Sequence, residues 1–175
     1  MKQINEMTQL EIGAYVCSHL EENGIEVVLS GGASVSLYSN NKYISKDIDL
    51  VDIYSVSRRK LISAMHEIGF VEQHRYFKHP ESIYIVEFPP GPLTVGDEVV
   101  NRTHQVKLST GILKVISATD CVKDRLAAYY HWGDKQSLSQ AILVSKENKV
   151  NIEELKSWSK REGKQKEFEL IKDKL

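Results

Sequence analysis

The residues of this chain best suited to chemistry lie in one stretch, Val27 to Asp52, which reads VVLSGGASVSLYSNNKYISKDIDLVD. A short apolar run, Val27-Val28-Leu29, meets Ser30-Gly31-Gly32-Ala33-Ser34, and two carboxylates, Asp47 and Asp49, follow. The pattern predicts strand, glycine turn, helix, loop and a second strand carrying both aspartates. Glycines let backbone N–H groups approach a phosphate closely, and the following helix adds the positive end of its dipole. Side chains alternate along a strand, so Asp47 and Asp49 share one face while Ile48 and Leu50 turn to the core. Asp52 breaks that period and faces the other way. Two neighbouring carboxylates repel each other unless a divalent cation lies between them. A phosphate cradle beside a Mg²⁺ site reads as chemistry on a nucleoside triphosphate.

Gly31-Gly32-Ala33-Ser34, a long spacer to Lys46, and then Asp47-Ile48-Asp49 resemble the Gly-Gly/Ser…Asp-x-Asp signature of the polymerase-β-like nucleotidyltransferase superfamily. Within it the chain looks most like the small bacterial enzymes related to abortive-infection and toxin–antitoxin toxins. The resemblance implies an α+β fold: a small mixed β-sheet core over residues 1–117, with a C-terminal helical region, 118–175, packed on it. It also implies a third catalytic carboxylate on a strand beside the Asp-x-Asp strand. Glu87, at the end of Ile83-Tyr84-Ile85-Val86-Glu87-Phe88, is the best match, with Asp97 and Glu98 as substitutes. The alternative for Glu87 is an edge glutamate that reaches solvent or pairs with a lysine.

The segment TDCVKDRLAAYYHWGDKQSLSQA looks like the helical part of the toxin-type enzymes, where a lysine and a later aspartate line the cleft. Lys123 and Asp134 are the candidates, and Asp124-Arg125 reads alternatively as a solvated pair. On this reading Ser30, Gly31, Gly32 and Ser34 hold the triphosphate, with the Ser34 hydroxyl donating to it. Asp47 and Asp49 hold one Mg²⁺ and, with Glu87, a second. Two metals would activate an acceptor hydroxyl and stabilise the leaving pyrophosphate during in-line attack on the α-phosphorus. Glu87 is also in place to act as the general base. Lys46 or Lys123 would offset phosphate charge.

These residues need elements to position them. Met7, Leu10, Ala14, Cys17 and Leu20 recur at helical spacing over residues 6–23, and Asn23-Gly24 ends that helix. Ser57 caps a helix from Arg58 to Ile68 whose inner face is Leu61, Ile62, Met65 and Ile68. Phe70 to Phe77 and Ser82 to Phe88 read as two antiparallel strands, and Thr103 to Leu108 with Ile112 to Ile116 as a hairpin. Pro89-Pro90-Gly91-Pro92 cannot join a ladder and forms a loop at the rim of the site. From Ala118 the pattern is helical, with Thr119 or Asp120 as the first cap. His19 and His104 read as packed or surface histidines rather than bases.

Composition excludes several classes. The 175 residues carry a formal net charge of −1, so no global positive field draws in nucleic acid. Lysines of the tail, Lys146 to Leu175, are interspersed with glutamates, which suits a solvated face. Cys17 and Cys121 stand far apart and without metal-ligand spacing, so both read as reduced. The polar N-terminus and the lack of a long apolar run point to a cytoplasmic protein with no membrane partner. The function expected is transfer of an NMP from Mg-NTP, ATP among the candidates, to a hydroxyl on RNA, protein or a small molecule. A toxin-type enzyme would bring an antitoxin-like partner. The alternative is a catalytically inactive fold relative acting as a protein-binding module.

Overall fold

The computed structural model describes residues 2–175. In chain order its elements are α1 (Gln9–Glu22), β1 (Val27–Ser30), α2 (Gly31–Tyr38), β2 (Asp47–Asp52), α3 (Arg58–Glu67), β3 (Val71–Gln73), β4 (Tyr76–Lys78) and β5 (Ile85–Glu87). There follow β6 (Thr94–Val95), β7 (Glu98–Val99), β8 (Thr103–Leu108), β9 (Gly111–Ile116), α4 (Ala118–Trp132), α5 (Lys135–Glu147), α6 (Ile152–Arg161) and α7 (Gln165–Ile171). Among the described residues, seven strands form one mixed sheet in the order β3-β4-β5-β2-β1-β9-β8, and β6 pairs only with β7. The α+β expectation holds.

The centre of the sheet carries the candidate carboxylates. β1 runs antiparallel to β2, with Ser30 opposite Asp49, and β2 runs parallel to β5, with Asp49 opposite Glu87. Val28, Leu29, Ile48, Leu50 and Val86 are almost fully buried, as the apolar runs require. One apolar cluster extends from Met7 through the sheet to Trp158, Phe168 and Ile171, so the last helices share the core of the strands.

Local signals set the helix ends. Thr8 accepts the Glu11 N–H and Glu11 accepts the Thr8 N–H, a reciprocal cap at the start of α1. The Glu11 carboxylate also takes bonds from Lys2 and from the Ser109 hydroxyl in the β8–β9 turn. Those partners, Lys2 foremost, hold its carboxyl well down, at about 2. From the same end of α1, Gln9 donates to the carbonyls of Ser45 and Asp47 and pins the entry to β2.

Two boundaries differ from the sequence reading. The stretch from Phe70 to Phe77 is two short strands, folded on themselves at His74-Arg75, where His74 has φ +58°. Alternation alone does not mark such a turn, because neither residue is glycine or proline. Ser117, not Thr119 or Asp120, caps α4: its hydroxyl accepts the Asp120 N–H at 3.0 Å. His19 is held by the Ala64 carbonyl at 2.9 Å, and His104 lies exposed on β8.

Thr8→Ala removes half of the reciprocal cap and should cost about 1 kcal/mol of stability. Chemical denaturation should show this as a lower midpoint with an unchanged slope.

Candidate active site

The site is built at the junction of β1 and α2. Ser30 is the N-cap residue of α2 but makes no side-chain cap bond, which leaves the first N–H groups of the helix open to a ligand. Gly31 has φ +60°, and a Cβ there would lie 2.1 Å from Asp49 Oδ2. Only glycine fits both the turn and the carboxylate pressed against it. Gly32 meets a second surface: a Cβ would lie 3.0 Å from Ser45 Oγ.

Three carboxylates share the sheet face beyond this turn. Asp47 and Asp49 are two residues apart on β2, and Glu87 on β5 is the register partner of Asp49. Asp47 is exposed, whereas Asp49 and Glu87 are half-buried. Burial, then the neighbouring Glu87 and Asp47 charges, push the Asp49 carboxyl up to about 6, partly opposed by Arg125. Glu87 Oε2 lies 3.9 Å from Arg75 Nε, a loose and exposed contact.

A cavity of about 320 Å³ opens beside Ser30, Gly31 and Asp49. Its polar side is completed by Asp124 of α4. Its opposite wall is apolar: Pro89, Pro90 and Pro92 of the proline loop, then Leu93, Thr94 and Val95. Arg125 stands next to Asp124, donating to its carboxylate from Nε at 3.0 Å and to Gln140 Oε1 from Nη1 at 3.3 Å.

Other residues read from the sequence lie elsewhere. Ser34 is fully buried and donates to the Gly31 carbonyl at 2.7 Å, so its hydroxyl braces the glycine turn and is not presented to a ligand. Lys123 is also buried, 2.8 Å from Glu154, 3.2 Å from Asp120 and 3.6 Å from Glu98, and does not line the cavity. On a helix, adjacent residues point about 100° apart, which turns Asp124 to the cavity and Lys123 away. Asp134 caps α5, accepting the Gln136 N–H and the Ser137 hydroxyl. Of the substitutes for Glu87, Asp97 gives its N–H to Glu162, and Glu98 pairs with Arg161 and Lys123. Lys46 is exposed next to Asp47. Asp52 accepts the N–H groups of Tyr54 and Val56 and shapes the loop after β2. Asp124 was hidden in the sequence among ordinary helical charges; only its place in the i, i+3, i+4 pattern relative to Cys121 and Ala127 marks it as half-turned from the core.

The donor set suits a hard divalent cation, since the shared face offers only carboxylate oxygens. Burial raises the Asp49 carboxyl most, and the further rise from the Glu87 and Asp47 charges is the part such an ion would relieve. Among the described residues, no three His, Cys, Asp or Glu side chains are gathered into a ready metal shell. The carboxylates share a face without meeting at a point.

Two solved structures resemble this architecture. One is an antigenic nucleotidyltransferase-like protein from Paracoccidioides brasiliensis, with TM-score 0.58 and 18% identity, over 78% of this chain and 75% of that one. The other is the solution structure of the antibiotic-resistance factor ANT(2'')-Ia, with TM-score 0.51 and 12% identity, over 78% of this chain and 82% of that one. No curated protein sequence matches the chain. The chain shares its fold with these two structures, as the sequence resemblance implied. Residues 9–75 match the family described as "Nucleotidyl transferase of unknown function (DUF2204)", a span that holds Gly31, Gly32, Asp47 and Asp49 and stops before Glu87.

Asp49→Asn should stabilise the metal-free protein at pH 8. Burial and its acidic neighbours push the folded carboxyl up to about 6 from the ordinary 3.8, so the ionised group costs stability above pH 6. The gain should be about 1–3 kcal/mol at pH 8 and vanish below about pH 4, where both side chains are neutral. Thermal melts across that range check the sign. Gly31→Ala should displace the Asp49 carboxylate and cost at least about 1 kcal/mol, read by the same melts.

Proposed function

We propose that this protein transfers a nucleoside monophosphate from a Mg²⁺-bound nucleoside triphosphate to a hydroxyl acceptor. The observation that carries the reading is the contact of Gly31 with the Asp49 carboxylate, which sets an open helix N-terminus beside three carboxylates on one sheet face. Ser30, Gly31 and Gly32 offer backbone N–H groups to the triphosphate. Asp47 and Asp49 would hold the divalent cation, with Glu87 as a further oxygen donor. When bound, such a cation would polarise the α-phosphoryl group, favour the acceptor alkoxide and offset charge on the leaving pyrophosphate.

Glu87 or Asp124 would take the acceptor proton, since both carboxylates border the reacting face. Arg125, half-buried and held by Asp124 and Gln140, opposes the rise of the Asp49 carboxyl and would offset phosphate charge in the role that the sequence gave to Lys123. The proline loop and Val95 would exclude water from one side of the cavity. Catalysis would rest on position and electrostatics more than on covalent chemistry. The acceptor is proposed only as a hydroxyl-bearing molecule, small enough or extended enough to enter a cavity of about 320 Å³.

Calorimetric titration of each nucleoside triphosphate with Mg²⁺ tests the reading. The wild type should bind at least one of them, and the double variant Asp47→Asn/Asp49→Asn should lose at least ~100-fold in affinity. Equal binding by the two proteins would place the nucleotide elsewhere.

A further inference from the structure

The apolar wall of the cavity continues directly into the β6–β7 ribbon. That ribbon pairs only Thr94 with Val99 and Val95 with Glu98. A two-stranded ribbon this short cannot hold its own position in water, so its place is set by whatever it is tied to.

Two carboxylate links, through Glu162 and Glu98, tie it to the C-terminal helices, and a Trp158 hydrogen bond adds a third tie. Glu162, just past α6, accepts the Asp97 N–H at 3.0 Å and lies 3.3 Å from His131 Nε2 at the end of α4. Its side chain is 6% exposed. A Cβ on Gly96 would come within 2.3 Å of Glu162 Oε1, so the ribbon's turn is shaped around this carboxylate. One residue earlier, Val95 lines the cavity while its carbonyl accepts the Trp158 Nε1–H at 3.3 Å. The second link runs from Glu98 to Lys123 at 3.6 Å and to Arg161 at 2.9 Å. Lys123 is anchored in turn by Asp120 and Glu154.

We propose that Glu162 and Lys123 are positioning residues of the nucleotide site, which hold the Thr94–Val95 wall at its working distance from Asp49 through the β6–β7 ribbon. The proposal rests on the nucleotide reading above. Neither side chain lines the cavity. Displacement of a binding wall by about 1 Å is enough to weaken binding or turnover strongly, which gives remote anchors their leverage. The C-terminal helices then form part of the site through a ribbon that has no stability of its own.

Trp158 supplies the readout, because it is fully buried and bonded to Val95, whereas Trp132 is exposed and can be replaced by Phe to leave one reporter. In a Trp132→Phe parent, Mg-ATP, Mg-GTP, Mg-CTP and Mg-UTP are titrated with calorimetry and Trp158 emission as parallel signals. Glu162→Ala should weaken the preferred nucleotide about tenfold and alter the ligand-induced emission change. Glu162→Gln keeps an oxygen for the Asp97 N–H and should stay within about threefold of the parent. Glu98→Ala cuts the second link at a half-exposed residue and should weaken binding even if Glu162→Ala fails to fold. Parental affinity and emission response in Glu162→Ala, or in Glu98→Ala if the former does not fold, overturn the positioning role alone. A parent that binds no nucleotide overturns both the role and the nucleotide reading.

Discussion

The contact between Gly31 and the Asp49 carboxylate is the constraint around which the structure is arranged. Antiparallel pairing of β1 with β2 sets Ser30 opposite Asp49, and the chain then turns at once into α2 through a left-handed glycine. A side chain at Gly31 would occupy the space of Asp49 Oδ2. The open N–H groups of the helix start and the carboxylate oxygens of β2 are thus brought together by the absence of one methyl group. Other parts serve this junction: Ser34 braces the turn from within, Tyr38 ties the far end of α2 to the Ile116 carbonyl, and Gln9 fixes the entry to β2.

Charge is the second theme. Asp49 and Asp124 line one end of the cavity, Asp47 and Glu87 share the sheet face of Asp49, and half-buried Arg125 is the cation set against Asp49. Half-burial makes the repulsion at Asp49 more costly than it would be in water. A fold relative that served only as a binding module would be more stable without this cluster, since isosteric neutral side chains would relieve it. Glu11 shows the opposite case: with Lys2, Ser109 and Thr8 around it, its carboxylate is favoured, and it joins α1 to the β8–β9 turn.

The wall facing the carboxylates has a different origin. The proline loop cannot enter the sheet, and β6 and β7 pair only with each other. Their position comes from α4 and α6 through Glu162, Trp158, Arg161 and Lys123. One apolar core beneath strands and helices makes these anchors rigid with respect to the sheet.

What the sequence determined by itself was local. Apolar alternation around Asp47 and Asp49, the glycine pair after Val27-Val28-Leu29, and the capping residue Ser57 each act through neighbouring backbone, so their spacing in the chain was enough to place them. The register of Glu87 against Asp49, the burial of Ser34 and the rotation of α4 depended on contacts between distant segments. Only the tertiary structure could decide that Asp124 faces the cavity while Lys123 serves three carboxylates beside the ribbon. Neighbouring helical residues differ by a rotation, and packing of the whole helix against the sheet and α5 chooses which of them meets the site.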